Sequence, residues 1–135
     1  MNNEPVYLGN KELLQKKKIG YLASRKIPAL SVLPALDWAA QMSKQTDGAV
    51  ISGFHSLMEK NVLKILLQGT CGIILVLARG MYRQLPQQYE EAIQQGRLLI
   101  ISYEKDSVTR VSEVTAHKRN DHVRELADEM YSYSP

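Results

Sequence analysis

Four basic side chains, Arg25, Lys26, Arg79 and Arg83, and one short turn, Ser52-Gly53-Phe54-His55-Ser56, are the parts of this sequence best suited to holding an anion. Guanidinium groups bind phosphate in a bidentate fork, and ammonium groups bind it as point charges. The turn places small residues before a helix start, where backbone N–H groups and the helix dipole favour negative charge. Ser56 and Glu59 have the spacing of a capping box, so that helix begins at Leu57. Two readings of the turn stand at this level: an anion seat, or a capped strand-to-helix turn that binds nothing. Phe54, Tyr82 and Tyr103 accompany these groups, either to stack nucleobases as in single-strand binders or to roof a sheet edge.

Catalytic chemistry finds less support. His55 has the acid-base capacity of any imidazole, but the sequence places no carboxylate or nucleophile beside it, and it enters as a binding candidate in the turn. His117 and His122 are five residues apart, about 140° around a helix and poorly arranged for one metal ion. No Gly-x-Gly-x-x-Gly follows the first strand and no Walker loop occurs. The expectation is a binding module without metal or cofactor, rather than an enzyme.

The elements that position these residues follow from the hydrophobic pattern. Residues 1–10 read as a lead-in with a short edge strand at Val6-Tyr7, and Lys11 to Gln15 as one helical turn. Strands are expected at Ile19–Ala23, 49–52, Gly72–Ala78 and Leu98–Tyr103. The third of these is almost continuously apolar, the mark of a strand covered on both faces. Helices are expected from Val32 to Ser43 with Ser31 as cap, from Leu57 to a stop at Gly69, from Pro86 through Gln95, and from Ser112 to Met130. Trp38 belongs to the core or its rim, with the core preferred. Strands alternating with helices make right-handed crossovers and an α/β fold with a mainly parallel sheet. In such folds ligands bind beyond the carboxyl ends of the strands, where Arg25, Lys26, Arg79, Arg83 and the turn at 52–56 all fall.

Composition narrows the class further. At 135 residues, 44% hydrophobic and 23% charged, the chain suits one globular domain, 1–135, with the lead-in at 1–10 and a tail at 131–135. Its single cysteine, Cys71, forms no internal disulfide and fits a reducing cytoplasm. No run of apolar residues is long enough to span a membrane, and the polar start lacks the regions of a secretory signal. A net charge of +3 permits a polyanionic partner without requiring one.

Several segments resemble the DNA-processing protein A (DprA/Smf) family. Tyr7-Leu8-Gly9-Asn10, Leu13-Leu14, Lys18-Ile19 and Ser24-Arg25 are similar to the entry into that family's Rossmann-like domain, and Val50-Ile51-Ser52-Gly53 to its second-strand loop. Leu85-Pro86 with Gly96-Arg97-Leu98-Leu99 resembles its third-helix segment, and Lys118-Arg119-Asn120 with Val123 its late Arg-Asn motif. The wording Ser-Gly-Phe-His-Ser, with Ala78-Arg79-Gly80 later, looks closer to a short single-domain DprA-like branch. The resemblance covers roughly residues 7–129 and implies a Rossmann-like three-layer sandwich that binds single-stranded DNA in a basic pocket and helps to load a RecA-type recombinase, with homo-oligomers as an associated state. By position it adds Ser24, Arg25, Ser52, Gly53, Arg119 and Asn120 to the binding candidates. Ala23 stands where the family has glycine, and Ser56-Leu57-Met58-Glu59-Lys60 replaces its Gly-Ile-Asp segment. A rival from another class is a small-nucleotide pocket like that of the phosphoribohydrolases and nucleotide sensors that share the fold, although their Pro-Gly-Gly-x-Gly-Thr loop is missing.

Overall fold

Apolar residues that run without a polar break can be kept from water only by cover on both faces of the strand they form. In the computed structural model, which describes residues 4–131, every residue of Gly72–Leu77 and Leu98–Ser102 is buried. These are β4 and β5. With β1 (Val6–Gly9), β2 (Lys17–Gly20), β3 (Gly48–Ser52) and β6 (Glu129–Met130) they form a six-stranded sheet in the order β1-β5-β4-β3-β2-β6. All neighbours pair in parallel except β1, which runs antiparallel to β5.

Among the described residues four α-helices cover the sheet: α1 (Val32–Ser43), α2 (Leu57–Leu67), α3 (Gln87–Gln94) and α4 (Glu113–Leu126). Strand alternation divides the core between them. Val50, Ile73, Leu75 and Ile100 meet residues of α1, α2 and α3 on one face, whereas Ile51, Ile74, Val76 and Ile101 meet Val123 of α4 and Leu13 of a 3-10 turn on the other. The chain steps from β2 to β5 with three helices on a single face, then returns across the opposite face through α4 to lay β6 beside β2. A reversal of direction combined with right-handed crossovers requires that change of face. The expected Rossmann-like three-layer arrangement is the one observed.

Two element boundaries and one helix cap differ most from the sequence reading. The first parallel strand is Lys17–Gly20, not Ile19–Ala23, because Lys17 and Lys18 are met at the sheet edge by Glu129 at 3.6 Å and Asp128 at 3.3 Å. The last helix stops at Leu126 instead of Met130. Beyond it Asp128 N donates to Lys18 O at 2.8 Å and Tyr131 N to Gly20 O at 2.8 Å, so pairing with β2 takes the residues that periodicity gave to the helix. Ser31 makes no side-chain cap, since it closes a 3-10 turn, Ala29–Ser31, that leads straight into α1. Trp38 is half-buried at the rim, stacked on Tyr131 at 4.3 Å. Of the expected tail, only Tyr131 falls within the described residues.

Candidate nucleic-acid interface

The loops that leave the adjacent parallel strands β2 and β3 lie side by side at the carboxyl edge of the sheet, and a crevice opens beside them. Glu59, in the first turn of α2, holds that crevice together. Its Oε1 accepts from His55 N at 2.8 Å and Ser56 N at 3.2 Å, and its Oε2 accepts from Ala23 N at 2.9 Å. One carboxylate thereby pins the loop after β2 to the loop after β3. Ser56 Oγ accepts from Glu59 N at 3.2 Å, completing the capping box expected from the sequence. The box has a consequence for binding. Two backbone donors of the turn are engaged by Glu59, so an anion here is held by side chains more than by the helix terminus.

Two adjoining cavities gather most of the predicted residues. Ser24, Arg25, His55, Ser56, Arg119 and Asn120 line one of about 340 Å³. Gly53, Phe54, His55, Arg79, Tyr82 and Arg119 line the other, of about 440 Å³. His55 and Arg119 form the wall between them. Arg25, Arg79 and Arg119, from three separate segments, thus open on one continuous region. Among the described residues lining these cavities the only carboxylate is Glu59, and it is engaged with backbone donors.

Four candidates line neither cavity. Ser52 is fully buried, and its Oγ accepts from Phe54 N at 3.0 Å, a structural bond rather than a phosphate contact. Lys26 and Arg83 are exposed but stand outside. Tyr103 packs on the α4 side of the sheet with its ring stacked on His122 at 3.6 Å, away from both cavities. Phe54 does line the larger cavity but is only 4% exposed and belongs to the core, held in the left-handed region at φ 47°. Tyr82 is the aromatic candidate that remains, with the Arg79 guanidinium 5.2 Å from its ring centroid. Beneath it Tyr89 has its phenol pushed up to about 12 by burial and then by Tyr82. Sequence reasoning missed Glu59 as a bridge between loops, and Lys60 and Lys64 as wall residues of the larger cavity. The lysines were findable as an i, i+4 basic pair on the helix that the capping box starts.

Arg119 is the most unusual member of the group. It is 5% exposed and lies against Gly53 so closely that a Cβ there would strike its guanidinium. Its Nε donates to Asn120 Oδ1 at 2.7 Å. Burial lowers its pKa and the Glu59 carboxylate raises it, but a guanidinium stays charged throughout the accessible range.

His55 carries the pH dependence of the site. Desolvation at the cavity wall, then Arg119 and Lys60, hold its imidazole below the ordinary value of 6.5, with Glu59 opposing and Arg25 adding to the fall. The folded chain therefore binds fewer protons at His55 than the unfolded chain, so its contribution to stability is present above about pH 6.5 and declines as pH falls through the lowered value. A phosphate bound beside the imidazole would raise its pKa, because the negative charge favours imidazolium. Affinity for an oligonucleotide is expected to rise as pH falls from 7 to 5.5, and His55→Gln to flatten that rise. Titration of the imidazole by NMR with and without ligand checks it; a pKa unmoved by ligand places His55 outside the contact.

No protein-family model and no curated protein matches the chain. Solved structures do. DNA processing protein A from Streptococcus pneumoniae superposes with a TM-score of 0.72 at 16% identity, over 93% of this chain and 44% of that one. The fold is that of DNA processing protein A. The Helicobacter pylori protein of the same name, whose structure concerns its single-stranded DNA binding mode, gives a TM-score of 0.69 at 20% identity, over 93% of this chain and 58% of that one. The chain spans about half the length of these DprA structures. Within the DprA-like fold the two cavities occupy the strand-end edge, and no helix among the described residues is long and apolar enough to cross a membrane.

Proposed function

We propose that this chain is a DprA-like single-stranded DNA-binding module that seats phosphates on Arg25, Arg79 and Arg119 and packs a base against Tyr82. One observation carries the reading: cationic side chains from the loops after β2 and β4 and from the middle of α4 border two cavities joined at His55 and Arg119. Their common ligand is a chain of phosphates rather than a single one, because the guanidiniums stand in different cavities. Likeness to the H. pylori protein, which binds single-stranded DNA, supports the same choice. A RecA-type recombinase as partner, and assembly with further copies of the chain, extend the proposal by resemblance and involve surfaces outside this site.

A small-nucleotide pocket is the competing reading, favoured by the larger cavity, whose 440 Å³ has the scale of one small ligand. No carboxylate lines that cavity among the described residues, whereas Lys60, Lys64, Arg79 and Arg119 do, a lining better suited to several phosphates than to one nucleotide. Thermal unfolding with an oligothymidylate and, separately, with mononucleotides at equal nucleotide concentration distinguishes the two. The tighter native-state ligand raises the melting temperature more. The oligonucleotide is expected to give the larger shift; the opposite order makes this a nucleotide pocket, and no shift with either removes both readings.

A further inference from the structure

The larger cavity does not end at the strand edge. It meets a further cavity of about 330 Å³ at Lys64, Leu67 and Gln88, which line both. Together they make a trough between α2 and α3 that leads away from Arg79 and ends beside Arg97. We infer that this trough is the track of the continuing single strand, holding nucleotides adjacent to those at the strand-end seat. The inference rests on the single-strand reading and adds to it a direction of travel.

Lys60 and Lys64 are exposed on one face of α2, one turn and about 6 Å apart along the helix, a step that successive phosphates of an extended strand can match. Across the trough α3 offers the exposed amide of Gln88, which can donate or accept with any base and so exerts no sequence preference. Gln95, just past its end, keeps its NH2 to donate because its Oε1 accepts from Arg97 Nη1 at 3.1 Å. The far end of α2 would by itself repel a phosphate, because its last carbonyls carry the negative pole of the helix. Arg97 removes that obstacle. Its Nη2 donates to Leu66 O at 2.6 Å, its Nη1 to Leu67 O at 3.2 Å and its Nε to Cys71 O at 3.0 Å, fixing a cation over those carbonyls. Glu91 is the acid among the described residues of this wall, exposed, with its Oε1 accepting from Gln87 Nε2 at 3.2 Å.

The test compares oligothymidylates about four and about ten nucleotides long, on the intact chain and on Gln68→Glu/Gln95→Glu, two residues that line only the farther cavity, with Lys44→Glu as a control for charge alone. Both track residues are exposed, so the variant folds, and its melting curve verifies that. The intact chain is expected to bind the longer strand about fivefold more tightly per site, and the double variant to lose that gain while binding the short strand as before. A length gain that survives the double substitution, or an equal loss for both lengths, overturns the track. Equal affinity of the intact chain for both lengths removes the track and leaves the strand-end seat standing; binding of neither length removes the seat as well.

Discussion

Glu59→Ala is expected to lower the unfolding free energy by about 3–5 kcal/mol, well beyond the ~1 kcal/mol of an ordinary lost helix cap. The carboxylate is 4% exposed and accepts from three backbone donors, His55 N, Ser56 N and Ala23 N. Alanine leaves those donors without their acceptor, and each hydrogen bond to a charged group contributes about 1.5–3 kcal/mol, part of which water entering the crevice restores. The same change deprives Arg119 of the anion that offsets its burial. Glu59→Gln recovers only part of the loss, since its amide supplies one acceptor oxygen where the carboxylate supplies two. Urea denaturation of the three proteins measures the series. A loss below about 1 kcal/mol for alanine would reduce Glu59 to a helix cap and leave the two loops held by something else.

That bridge also marks where the sequence stops being readable. Ser56 and Glu59 announce the cap because it is local, three residues apart, and α2 does begin at Leu57. The second oxygen's contact with Ala23 spans 36 residues, and nothing near Ala23 signals it. The same division runs through the fold. The apolar runs of β4 and β5 and the turn glycine Gly96, at φ 75° after α3, are written in their own segments. Glu129-Met130, by contrast, is exposed, short and without alternation, and becomes a strand only because the edge of β2 lies beside it. Among the site residues, Arg25 and Arg79 were legible from strand ends alone. Arg119 was reached only through resemblance, since a basic residue in the middle of a helix reads as a solvated face until Gly53 is seen to leave room for it. Ser52 and Tyr103 were misplaced for a related reason. Strand-end position says which edge a residue is on but not which side of the sheet, and their hydroxyl and ring turn to local partners.

Placement of the cations yields the second large effect, a ranking that charge alone does not produce. Arg25→Glu with Arg79→Glu is expected to weaken single-stranded DNA binding about 100-fold or more at moderate salt and to lower the slope of log affinity against log salt by about 1.4, two phosphate contacts at about 0.7 each. Arg25 is exposed and Arg79 half-buried, with a single weak bond from Nε to Gly80 O at 3.3 Å, so neither change disturbs the core. Lys26→Glu with Arg83→Glu alters net charge by the same amount at exposed residues that line neither cavity, so it removes long-range attraction without removing a phosphate contact. That pair is expected to cost about threefold or less. Filter binding across a salt series for both double variants decides the matter. Equal losses would mean that the basic surface attracts DNA as a diffuse field, and the guanidiniums bordering the two cavities would then have no privileged role.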